Sequence, residues 1–84
     1  MKIYTIYDKK SLSHALPFFF ENKGLCLRDL SELVNDGKSL PSKHPHDFSV
    51  WEIGEYDQKS GTVVPHKQPV ILDECANLVK KPGA

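Results

Sequence analysis

The sequence predicts an α+β domain: a small antiparallel sheet in the order β-β-α-β-β, with one main helix packed on one face and a short C-terminal helix after it. Three observations carry this expectation. The 84 residues suffice for one core, since a second would leave each half too short to bury enough apolar surface. Residues 3–8 and 48–57 are rich in β-branched and aromatic types and carry bulk on both sides, as strands inside a sheet do. Only residues 23–36 repeat apolar side chains at helical spacing over three turns. Residues 1–84 are therefore read as a single domain with its core in about 2–72 and a flexible end at 80–84.

Each element has its own local reason. Residues 3–8, Ile-Tyr-Thr-Ile-Tyr-Asp, end at Asp8-Lys9-Lys10, the pattern of a strand entering a turn. Ile3 and Tyr7 point one way, Tyr4 and Ile6 the other. Residues 17–20 read as a second short strand, with Pro17 at the first position, where a missing N–H is tolerated. Asn22 is placed to cap the helix. Within 23–36, Cys26, Leu27, Leu30, Leu33 and Val34 share a stripe about 120° wide. Asn35-Asp36-Gly37 stops it, Gly37 being free to take the left-handed conformation.

Residues 39–47 hold two prolines and two histidines and read as a loop. Residues 48–57 form the strongest strand, with Phe48, Val50 and Tyr56 on one side and Trp51 and Ile53 on the other. Residues 58–61 make a turn with Gly61 at positive φ, and Thr62-Val63-Val64 return. Pro65 and Pro69 keep the next segment irregular or at an edge. Residues 73–80 are expected to make two turns of helix, ended by Pro82-Gly83-Ala84. One helix cannot cover both faces of such a sheet, so the second face must meet the C-terminal segment, another subunit or a ligand.

Composition narrows the function. At 39% hydrophobic and 26% charged residues the chain is neither a disordered tail nor a membrane protein. The longest apolar run, residues 15–20, falls far short of the roughly 18 residues of a span, and the start lacks a signal peptide's apolar stretch. Eleven basic against eleven acidic residues leave no net charge, which argues against a histone-like binder. Residues 1–43 hold seven basic and five acidic side chains, and 44–84 hold four and six, so any polyanion contact must use a local patch. Cys26 and Cys75 could form one bridge but not a disulfide framework, and in a reducing cytoplasm they are expected as free thiols.

Catalytic and metal chemistry find little support. His14, His44, His46, His66 and the two cysteines show no zinc-ligand spacing. No nucleophile has a paired base, and Cys26 lies within the apolar stripe. Glu52 is out of place beside Val50 on a strand, which a cross-strand pair with Lys or a place at the sheet edge explains more simply than acid catalysis. The glycines stand singly, so no phosphate-cradling loop exists. No catalytic residue, metal or cofactor is expected. Nucleic-acid binding remains: a sheet face carrying Tyr4, Trp51 and Phe18 or Phe20, rimmed by Lys9, Lys10 and Lys43, would stack single-stranded bases and contact their phosphates. The alternative is that these rings are core against the helix.

The residues themselves suggest a family. Ile3-Tyr4-Thr5-Ile6-Tyr7-Asp8, Pro17-Phe18-Phe19, Leu33-Val34-Asn35-Asp36, and above all the stretch from Lys43-His44-Pro45-His46-Asp47-Phe48 through Trp51 to Gly54-Glu55-Tyr56-Asp57, with Ser60-Gly61, fall in order over residues 3–66. This pattern resembles the small nonstructural protein of gokushoviruses, the tailless single-stranded-DNA microviruses that include the chlamydia phages. The resemblance implies a non-virion protein of the infected bacterium's cytoplasm, described as DNA-binding, that favours genome single-strand synthesis during packaging over duplex replication. Two expectations follow. One is a non-enzymatic homo-oligomer that binds single-stranded DNA through Lys9, Lys10, Lys43, Tyr4 and Trp51. The other is an adaptor that docks phage replication or procapsid proteins without touching DNA. The His-Pro-His segment is read as a structural turn.

Overall fold

A computed structural model describes residues 1–80. Its elements run β1 (Lys2–Asp8), β2 (Ser13–His14), β3 (Phe18–Phe20), α1 (Lys23–Val34), α2 (Leu40–Lys43), β4 (Phe48–Asp57) and β5 (Thr62–Glu74), with 3-10 turns at Pro45–Asp47 and Cys75–Leu78. The five strands form one antiparallel sheet in the order β2-β1-β4-β5, and β3 also pairs with β1. β2 and β3 are two pieces of one return strand beside β1. Between them Ala15 donates its N–H to Ile6 and accepts the Thr5 hydroxyl on its carbonyl, at 2.8 and 3.0 Å. The α+β class and the single main helix on an antiparallel sheet stand as the sequence implied.

α1 begins where Asn22 accepts the Leu25 N–H at 3.0 Å and buries Cys26, Leu30 and Val34. These pack on Tyr4, Phe48, Val50 and Cys75, with Ile6, Phe18, Phe20, Leu33, Leu72 and Leu78 around them. Asn35 closes the helix and ties it to the end of the fold. Its side-chain amide donates to the Ser31 and Leu78 carbonyls, and its oxygen accepts the Lys80 N–H. The sheet's turns share a device in which an aspartate accepts the amides ahead of it. Asp8 takes Lys10 and Ser11, and Asp57 takes Lys59 and Ser60, with Gly61 at φ 72° completing the β4–β5 turn. These bonds, the Lys10 and Lys59 amides first, hold both carboxyls below their usual range.

Four local expectations need correction. Residues 39–47 are not plain loop, because Ser39 caps a turn of helix containing Pro41 and Pro45 opens a 3-10 turn, each proline sitting in a first turn where no N–H is needed. The return strand does not stop at residue 64. It runs to Glu74 as the sheet edge, where Pro65 and Pro69 are tolerated. Residues 73–80 give no two-turn α-helix, since Asp73 and Glu74 still pair with β4 and only Cys75–Leu78 coils, as 3-10. Tyr56 does not share a face with Phe48 and Val50. Tyr4 pairs with Glu52 but Ile3 with Gly54, so Ile53 is an extra residue that reverses the alternation beyond it. Of the end expected to be flexible, 80–84, residues 81–84 lie outside the described residues.

β5 loops out at the same place. Glu52 faces Val70 while Gly54 faces Pro65, leaving residues 66–69 opposite Ile53. A side chain at Gly54 would not fit, because a Cβ there would stand 2.6 Å from the Val64 carbonyl oxygen and 3.1 Å from Pro65 Cα. His66, in the looped stretch, lies with Nε2 2.7 Å from a Glu52 oxygen. That bond accounts for the glutamate beside Val50 on the covered face.

Candidate functional site

The two sides of the sheet are furnished differently, and register decides which ring goes where. Directly paired residues share a face, so Tyr4 and Ile6 lie with Val50 against α1, while Thr5 lies with Trp51 and Tyr7 with Ser49 and His14 on the side away from it. The Trp51 indole donates to the Ser49 hydroxyl at 2.9 Å, which holds the ring in place. Tyr7 and His14 stand with ring centroids 4.7 Å apart, inclined at 49°. Together with Pro69 these three rings line an open recess of about 220 Å³. Its walls are three rings and a proline, with the Tyr7 hydroxyl and the imidazole as polar tips, the indole N–H being taken by Ser49. Such a recess accepts a flat, partly apolar group and offers hydrogen bonds at its margin.

The residues expected to form the site are distributed as follows. Trp51 is on the uncovered face and partly exposed. Tyr4 is not: at 0% exposure it is core, packed by Phe18 at 6.3 Å and Phe20 at 6.2 Å between ring centroids. Its reading as a stacking ring is corrected, and Phe18 and Phe20 go with it, because alternation along β1 and β3 turns all three toward α1. Burial, with Glu52 nearby, pushes the Tyr4 phenol up to about 12, and its buried hydroxyl finds no hydrogen-bond partner. Lys9 is engaged, its ammonium 2.6 Å from Glu74 and 3.2 Å from the His46 carbonyl oxygen. Lys10 and Lys43 are exposed, and among the described residues no ion pair holds either. Lys9 and Lys10 begin the turn after Asp8, the last residue of β1, one and two positions beyond it and close in sequence to Tyr7 of the recess.

Tyr7, His14 and Pro69 were not picked out from the sequence. Alternation along residues 3–8 does set Tyr7 opposite Tyr4, yet which of those sides Trp51 joins depends on the β1–β4 register. His14 reaches Tyr7 only through the two-residue β2, too short to carry a pattern. Among the described residues no group of three or more His, Cys, Asp or Glu side chains is gathered to hold a metal ion, and no helix is long and apolar enough to cross a membrane. Cys26 and Cys75 are buried free thiols, pushed up by burial to about 12 and about 11.

Comparison with known proteins matches the chain to a family model described as Phage ORF5 protein, over residues 1–78. No curated protein and no solved structure matches. A match across nearly the whole chain, covering both the helix-packed core and the ring-lined face, places this protein in the phage ORF5 family: it is a bacteriophage protein.

Proposed function

We propose that this phage protein is a non-enzymatic single-strand DNA binder that holds unpaired bases on the uncovered sheet face. The observation that carries the reading is the recess formed by Tyr7, His14 and Trp51 with Pro69. Base-on-ring stacking is worth about 1–3 kcal/mol per base and tolerates any sequence. A duplex hides those base faces, so such a surface selects single strands without needing a large positive charge. Lys10 and Lys43 supply phosphate contacts, and Lys9 joins them when it leaves Glu74. The resemblance to the gokushovirus nonstructural protein supports the same reading and extends it. Holding displaced single strands in the infected bacterium's cytoplasm would favour genome synthesis and packaging over duplex replication, by a protein that stays out of the virion.

The test is anisotropy of a labelled single-stranded oligonucleotide and its duplex at low and moderate salt, with subunit mass measured alongside. Micromolar single-strand binding with a log–log salt slope of about −2, the value for three phosphate contacts, is expected, and Trp51→Ala should weaken it about tenfold or more while the fold survives.

A second reading rests on a different observation. The edge strand β5 exposes Val63, Val64, Val70 and Ile71, an apolar margin suited to a protein partner such as a replication or procapsid protein. Absence of binding to either DNA form at micromolar protein would reject the first reading in favour of this one.

A further inference from the structure

The uncovered face carries a second ring pair. Phe19 and Tyr56 meet at 66° with centroids 5.7 Å apart, and with Met1 and Gln58 they line an open recess of about 460 Å³. Phe19 is 41% exposed. Two features of the chain put the pair there. Phe19 sits between Phe18 and Phe20, which pack toward α1, so alternation turns it outward. Tyr56 would face α1 under strict alternation from Val50, and the extra residue Ile53 is what reverses it. Bulges beside functional surfaces often re-aim a side chain in this way. Gly54 allows the close approach of β5 that accompanies the bulge.

The local charge suits an anionic ligand. Lys2 neutralises Glu55, and the Asp57 carboxylate is turned into the hairpin, where it accepts the Lys59 and Ser60 amides. Among the described residues no ion pair engages Lys59, which follows Gln58 in the turn. Spacing suits a strand as well. Trp51 lies opposite Thr5, and Tyr56 donates its N–H to Met1 at 2.8 Å. The two ring sites are thus four residues apart along β1, about 13 Å at 3.3 Å per residue. That is the length of about four stacked nucleotides at 3.4 Å each.

We propose that Phe19 and Tyr56 form a second base-stacking site for the same DNA strand held by Tyr7, His14 and Trp51, with the Gln58 amide meeting a base edge and Lys59 adding positive charge. This rests on the single-strand reading above, and the bulge at Ile53 is the device that creates the second contact. The two sites act as one bivalent clamp, so a strand long enough to reach both gains affinity that a shorter one cannot.

The experiment is a titration of Trp51 emission, the chain's single tryptophan, with thymidine oligonucleotides of two, four and eight residues. Wild type, Tyr56→Leu, Tyr56→Phe and Phe19→Leu are compared, each checked for folding by circular dichroism. Wild type should bind the octanucleotide about tenfold or more tighter than the dinucleotide. Tyr56→Leu and Phe19→Leu should lose most of that gain while keeping dinucleotide affinity, and Tyr56→Phe should keep the gain. A folded Tyr56→Leu protein with the full wild-type gain would overturn the second site and leave the first standing. A wild type whose emission no oligonucleotide changes would overturn both.

Discussion

The two faces of one sheet use aromatic residues to opposite ends. On the helix side, Phe18, Phe20, Phe48 and Tyr4 join Val50, Cys26, Leu30 and Val34 in a dry core. On the other side, Tyr7, His14, Trp51, Phe19 and Tyr56 stand as two open ring clusters. Three of the four phenylalanines lie on the covered face, and the tryptophan with two of the three tyrosines on the open one. The partition follows chemistry: a ring with a polar tip is costly to bury unpaired and useful at a wet surface. Tyr4 is the exception that shows the cost, its hydroxyl buried among apolar neighbours with no partner. The comparison teaches that the helix side carries the main apolar core, while the other side keeps its polar-tipped rings within reach of solvent.

Alkaline pH should break the covered face first and most completely. Tyr4, Cys26 and Cys75 have folded-state values raised from 10.0 or 9.0 to about 12, about 12 and about 11. A raised acid means the folded state holds protons that the unfolded chain has released. Stability is therefore intact below pH 9 and falls as pH rises from 9 toward 12, which a pH series of thermal melts would record as a steep drop in Tm. A flat profile to pH 12 would show these groups to be wetter than the fold implies.

Next in size is Leu30→Ala, which should cost about 3 kcal/mol in urea denaturation by opening a cavity under α1. Phe19→Leu on the open face should cost less than about 1 kcal/mol. Equal costs would erase the distinction between faces. Gly54→Ala should cost about 2 kcal/mol, because the added Cβ meets backbone that cannot rotate away. Smallest is a gain. Tyr4→Phe removes the unpartnered hydroxyl and should stabilise by about 1 kcal/mol, whereas Tyr7→Phe should change stability by less than about 0.5 kcal/mol. Tyr4→Phe should also soften the alkaline loss, since one of the three titrating groups is gone.

Much of this architecture was legible in the residues. Asn22 as the cap, the Cys26-Leu30-Val34 stripe, the 48–57 strand and Gly61 at positive φ are local signals, fixed by side chains within a few positions of each other. The existence of an uncovered face was legible too, from one helix facing a sheet with bulk on both sides. Which rings occupy that face was not, because Tyr4 and Trp51 are assigned to faces by pairing between strands some 45 residues apart, and pairing register leaves no mark in either strand alone. Ile53 is harder still, since a bulge looks like any other residue in an alternating run. The full length of β5 was open for a related reason: Pro65 and Pro69 allow either an irregular segment or an edge strand, and only pairing with β4 decides for the edge.

The central claim, that the uncovered face is the binding face, is tested most directly by mapping amide and indole NMR shifts as an unlabelled thymidine octanucleotide is added. The account predicts shifts at the Trp51 indole N–H and around Tyr7, His14, Phe19 and Tyr56, with α1 from Lys23 to Val34 unmoved. Shifts concentrated on α1, or none anywhere at saturating oligonucleotide, would contradict it.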